Sequence, residues 1–133
     1  MQYSVDVRNA KLDAVETTIG TSAVLKIRTG SVPATCATAD SGTVLATLSL
    51  PSDWMAAASS GAKSKSGTWE DAAADATGTA GHWRLYASDG TTCHAQGTLT
   101  ATGGGGDMTV DSTSFTSGQT FTISTFTLTA GNS

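Results

Sequence analysis

Both histidines of the chain, His82 and His94, fall in the stretch 82–99, HWRLYASDGTTCHAQGTL, together with Trp83, Arg84, Tyr86 and Cys93. These residue types could ligate a metal, relay a proton or attack a carbonyl. A metal centre takes three or four ligands, and Arg84 beside the histidines would repel a cation. A histidine acting as general base needs a nucleophile and an orienting acid in reach. Serines abound, but no G-x-S-x-G elbow occurs. The stretch therefore predicts no catalytic residue, no metal ligand and no cofactor.

Which of these groups meet depends on the turn that joins them. Ser88-Asp89-Gly90 separates two alternating runs, and two registers compete. A two-residue Asp89-Gly90 loop pairs Tyr86 with Cys93 and Leu85 with His94. A three-residue loop with Gly90 left-handed pairs Leu85 with Cys93 and Trp83 with Ala95. The second register gathers Trp83, Leu85, Ala87, Cys93, Ala95, Gly97 and Leu99 on one face, and His82, Arg84, Tyr86, His94 and Gln96 on the other. A slip of one residue turns a whole strand over, so burial selects this register. Cys93 then becomes a small core residue, and the polar face points outward to water or to a partner.

The elements that position this hairpin follow from hydrophobic periodicity. VDVRNAKLDAVETTI at 5–19 is the one helix candidate: Leu12, Val15 and Ile19 form a stripe widened by Ala10 and Ala14, and Gly20 stands at the stop. After Gly20 the period becomes two. Ala23, Leu25 and Ile27 alternate with Val24, Lys26 and Arg28, which reads as a strand with a charged outer face. A loop, SVPATCATADSG, follows it. Val44, Ala46, Leu48 and Leu50 share the next strand's inner side. SDWMAAA reads as a helical turn with Ser52 as N-cap, and SSGAKSKSG as an exposed loop. Trp69 is assigned to a short strand, and EDAAADATG to a turn or edge. GGGG at 103–106 reads as a flexible connection, and SGQ at 117–119 as a turn. Phe121 and Ile123 alternate on one parity, and Phe126, Leu128 and Ala130 on the other. That switch predicts a bulge or a crossing between layers at Ser124–Thr125. About seven strands and one leading helix predict an all-β sandwich of jelly-roll type. The chain is read as a single domain, 1–133, with residues 1–20 as helix or arm.

Composition narrows the partners. A net charge of −4 with scattered Lys and Arg argues against nucleic acid. Charged residues make up 14% where an ordinary domain has about a quarter; such a hydroxyl-rich surface suits an assembled protein. No segment is apolar enough for a membrane helix or a signal peptide, so synthesis in a cytoplasm is expected, with Cys36 and Cys93 reduced rather than bridged. Trp54, Trp69 and Trp83 raise stacking on sugars, but exposed tryptophan more often marks a protein interface. The glycine run lacks the strand and helix of a dinucleotide fingerprint. Asp71, Asp75, Asp89, Asp107 and Asp111 lack calcium-loop spacing and read as turn formers.

RNAKLDAVETTIGTSAVLKIRTG, GTVLATLSL, DWMAAA, ATGTAGHWRLYASDGTT and SGQTFTISTFTLT together resemble a family of small virion-structural proteins of tailed phages and prophages, over residues 7–129. The resemblance transfers no catalytic motif. It implies a virion component made in the host cytoplasm, foremost a capsid decoration or cement protein. Such a protein binds the major capsid protein and copies of itself as a dimer or trimer on the capsid surface. A head–tail connector, a tail or fibre component, and a carbohydrate-binding adhesin module are the alternatives. The expected interface residues are Arg8, Lys11 and Glu16 on the helix, and His82, Arg84, Tyr86 and His94 on the outward hairpin face. On that reading Arg84→Glu weakens assembly and leaves the monomer folded.

Overall fold

The computed structural model describes residues 1–131. One helix, α1 (Val5–Ile19), precedes ten strands. These are β1 (Val24–Thr29), β2 (Val44–Ser49), β3 (Ala62–Ser64), β4 (Trp69–Asp71) and β5 (Gly78–Tyr86), then β6 (Cys93–Ala101), β7 (Met108–Val110), β8 (Ser114–Phe115), β9 (Phe121–Ile123) and β10 (Thr127–Thr129). The fold is all-β with a single N-terminal helix, as the sequence predicts. Several strands are only two or three residues long, which is why hydrophobic alternation shows about seven.

The helix begins and ends where its residue types dictate. The Ser4 hydroxyl accepts a hydrogen bond from the Val7 N–H, and Gly20, at φ +92°, donates its N–H to the Glu16 carbonyl. Only Leu12 and Ile19 are buried, with Val15 packed against the core. So narrow an apolar stripe cannot hold a 15-residue helix alone, and polar tethers supplement it. Arg8 Nε donates to the Ala130 carbonyl at 2.8 Å, Asn9 accepts from the Gly61 N–H at 2.9 Å, and Asp13 accepts from the Ala58 N–H at 3.0 Å.

The main sheet runs β2-β1-β5-β6-β7, with β8 pairing the start of β5; β3–β10 and β4–β9 form two small pairs. All pairings are antiparallel except β6–β7. One face of the main sheet packs on the small pairs through aromatic rings. Trp83 of β5 meets Phe126 edge-on at 5.6 Å, Phe126 meets Trp69 at 5.7 Å, and Trp69 meets Trp54 at 6.1 Å. Each such pair adds roughly 0.5–1.5 kcal/mol beyond its burial.

Five local expectations change. A bulge between Ile27 and Arg28 sets Val44 opposite Arg28 and buries Leu45, so Val44 leaves the face of Ala46 and Leu48. Residues 52–58 form no helical turn, and Ser52 caps nothing; Trp54 instead donates its indole N–H to the Gly20 carbonyl at 2.9 Å. The SSGAKSKSG segment is a tight hairpin rather than an exposed loop. Ser60 and Gly61, at φ +52° and +75°, turn it, and Lys63 is buried. The glycine run is a folded return. Parallel strands ordinarily need a long crossover, whereas here residues 102–107 suffice. A Cβ on Gly104 or Gly106 would stand 2.7 or 2.8 Å from Thr100, and Gly103 and Gly105 have positive φ. The parity switch at Ser124–Thr125 is a strand break: β9 pairs with β4, and β10 pairs with β3.

Candidate functional site

The polar side of the hairpin is the richest cluster of functional groups, and the structure closes it. The hairpin follows neither register throughout. Ala87 and Thr92 close the turn, Tyr86 stands opposite Cys93, and Leu85 stands opposite Ala95. His94 is the bulged residue between them. The core face keeps Trp83, Leu85, Ala95, Gly97 and Leu99. Cys93 moves to the side of Tyr86, Arg84 and His82, and His94 leaves that side. The pairing nearest the turn is thus that of the shorter-loop register, and the bulge restores apolar segregation beyond it.

Segment 30–42 lies over the polar side of β1, β5 and β6. Arg84, 1% exposed, holds it down with both terminal nitrogens. Nε donates to Gln96 Oε1 at 3.1 Å, and Nη1 donates to the Thr38 carbonyl at 3.1 Å and to Asp40 Oδ1 at 2.5 Å. Nη2 donates to the carbonyls of Thr35 and Cys36 at 3.0 and 3.1 Å. Gln96 reaches the Pro33 carbonyl at 2.6 Å, and His82 Nδ1 the Gly30 carbonyl at 2.9 Å. Asp40 also accepts from the Tyr86 hydroxyl at 2.7 Å and from Arg28 at 3.0 Å.

Electrostatics follow from this geometry. Burial raises the Asp40 pKa, but hydrogen bonds from Tyr86 and Arg84 and the charges of Arg28 and Arg84 outweigh it, and the net shift is downward. Burial opposes the Arg84 charge, yet the bond to Asp40 holds its pKa above the ordinary value. Burial, then the bond to Asp40, pushes Tyr86 up to about 12. Burial, then contact with Cys36, pushes the Cys93 thiol up to about 11. Groups held in these states do not exchange protons near neutrality. The nitrogens of Arg84 are already engaged with Asp40, Gln96 and the segment's own carbonyls, so the cluster fastens a loop.

A second polar cluster fixes the helix. Lys63, 2% exposed, donates to Asp13 at 2.7 Å and to the Ala56 carbonyl at 2.9 Å, and pairs with Glu16 at 3.0 Å. Burial works against its charge, but the two carboxylates raise its pKa. The Lys63 hydrogen bond in turn lowers that of Asp13. A cleft of about 540 Å³ opens beside it, lined by Asp13, Glu16, Thr17, Asp53, Met55 and Lys63 among others.

The expected interface residues separate accordingly. His82, Arg84 and Tyr86 are buried beneath segment 30–42, which corrects the outward face. The charges of Arg28 and Arg84 need a carboxylate and carbonyls, and the segment supplies both. Glu16 turns inward to Lys63, and Arg8 to Ala130. Lys11 and His94 remain exposed and line a shallow groove of about 310 Å³ with Ala14, Val15, Thr18 and Ile19. Trp54, Trp69 and Trp83 are 0%, 1% and 5% exposed, so no sugar can stack on them. The residue that sequence reasoning missed is Asp40. Its signal is that it is the sole acid between Glu16 and Asp53, in a span that carries Lys26 and Arg28.

Among the described residues no three metal-ligating side chains cluster, and no helix is long and apolar enough to cross a membrane. Comparison of the chain with protein-family models, curated proteins and solved structures gives no match.

Proposed function

We propose that this chain is a non-catalytic structural component of a tailed-phage virion. In this reading it is a decoration or cement protein that binds the major capsid protein and copies of itself on the capsid surface. The sequence resemblance supplies the class. The observation that carries the binding surface is the placement of exposed large hydrophobics. Met1, Val5 and Val7 are 93%, 46% and 43% exposed; Val5 and Val7 lie in the first turn of α1, and Met1 precedes it. Apolar side chains left in water on one end of a tethered helix suit burial against a protein partner. A cement protein acts through many copies, so modest contacts per copy suffice. The surface moves from the hairpin, which segment 30–42 covers, to the N-terminal arm and the adjoining groove at Lys11 and His94.

Quantitative mass spectrometry of purified particles that carry the chain tests the role. A copy number comparable to the major capsid protein supports decoration. A dozen or fewer copies points to a connector, tail or fibre component, and absence from particles ends the virion reading. A Val5→Asp, Val7→Asp double variant tests the surface. It should keep its fold, because both side chains are exposed, and lose particle binding.

A further inference from the structure

We propose that Cys36 and Cys93 are a redox-controlled latch, forming an intramolecular disulfide that covalently locks segment 30–42 onto the hairpin. The two cysteines come from opposite parts of this contact. Cys36 lies in the segment, where its carbonyl is held by Arg84 Nη2 at 3.1 Å. Cys93 opens β6 opposite Tyr86, and the bulge at His94 turns it to the same side as Arg84. Arg84 thus links the two stretches of chain that carry the cysteines, holding the Cys36 carbonyl while sharing a sheet side with Cys93, and Cys93 Sγ lies 3.5 Å from the Ala95 carbonyl. Both are free and half-buried, so a small oxidant reaches them. The anchoring on either side of Cys36, at Thr35 and Thr38, keeps the pair in register while the bond forms.

The chemistry is thiol–disulfide exchange with a low-molecular-weight disulfide such as oxidised glutathione. The Cys36 thiolate attacks one glutathione sulfur and releases the first glutathione thiolate. Burial keeps the Cys93 thiol protonated, which suits it to the second, resolving step. Cys93 then loses its proton to solvent, attacks the Cys36 sulfur and releases the second glutathione. Two protein thiols are oxidised, and one glutathione disulfide is reduced to two thiols. In a reducing cytoplasm the latch stays open as two thiols; outside the cell it closes.

The test incubates the purified chain in glutathione buffers poised from reducing to oxidising, followed by non-reducing peptide mapping. The expected result is one cross-linked peptide joining Cys36 to Cys93, reversed by dithiothreitol. A bridge closing so long a loop should raise the unfolding midpoint by about 10 °C. Cys36→Ser, which leaves the backbone contacts of the segment in place, should show neither change. Persistent free thiols in the oxidising buffer, or only mixed disulfides or intermolecular dimers, would overturn the proposal. A cross-link with no rise in midpoint would overturn the locking role.

Discussion

Arg84 and Asp40 are 44 residues apart in sequence, and their side chains meet at 2.5 Å on the polar side of the main sheet. Asp40 keeps 39% of its side chain in water, while Arg84 keeps 1%. The arginine is therefore the member whose removal matters more. Arg84→Ala leaves three segment carbonyls and Gln96 without their donor. It should destabilise the chain by about 3–5 kcal/mol in denaturant unfolding. Amide exchange should rise across 30–42. Arg84→Glu should do worse, because it buries a carboxylate beside Asp40; the sequence reading expected that variant to stay folded.

Tyr86 gives a pH signature. Its folded pKa is raised, so its contribution is fully present below pH 10 and is lost as pH rises from about 10 to about 12. A shift of two units corresponds to roughly 2–3 kcal/mol. Phenolate absorbance should place one tyrosine near 12, and the alkaline loss of stability should be smaller in Tyr86→Phe.

Gly81 sits where two backbones approach. A Cβ there would stand 2.2 Å from the Gly30 carbonyl oxygen, the atom that His82 Nδ1 contacts. Backbone cannot rotate aside as a side chain does, so Gly81→Ala should cost about 1–3 kcal/mol or more. Gly131→Ala meets nothing within 4 Å and should leave the thermal midpoint unchanged.

Lys63 ties α1 to the hairpin 59–62. Lys63→Met should cost about 1–3 kcal/mol, and limited proteolysis should then cut first near the N-terminal helix. Acid should act on the same contact. The Asp13 pKa is lowered, so its contribution is present above the ordinary carboxylate pKa and is lost as pH falls through the folded value. Helix detachment below about pH 4, followed by circular dichroism, should be less steep in Asp13→Asn.

The sequence determined the helix and the strands with a strong period. Ser4 and Gly20 bound a stripe of Leu12, Val15 and Ile19, and alternation in 23–28 and 82–86 needs no distant partner to be read. It also placed the large apolar side chains of the hairpin, Trp83, Leu85 and Leu99, on the core face, because they have nowhere else to go, but not Cys93, which the bulge at His94 turns to the other side. The tertiary structure decided what covers the other side. Polar alternation marks a face as different from the core, but water and a loop rich in carbonyls satisfy arginine equally well, and no local pattern distinguishes them. The choice fell to segment 30–42, whose Asp40 and carbonyls match the donors of Arg28, Arg84 and Tyr86. The same holds for Lys63 in a run of serines, which reads as solvent-exposed until Asp13 and Glu16 arrive from 50 and 47 positions away. Bulges at Arg28 and His94 complete the difference: each shifts parity by one residue, and each is set by strand pairing that a single strand does not reveal.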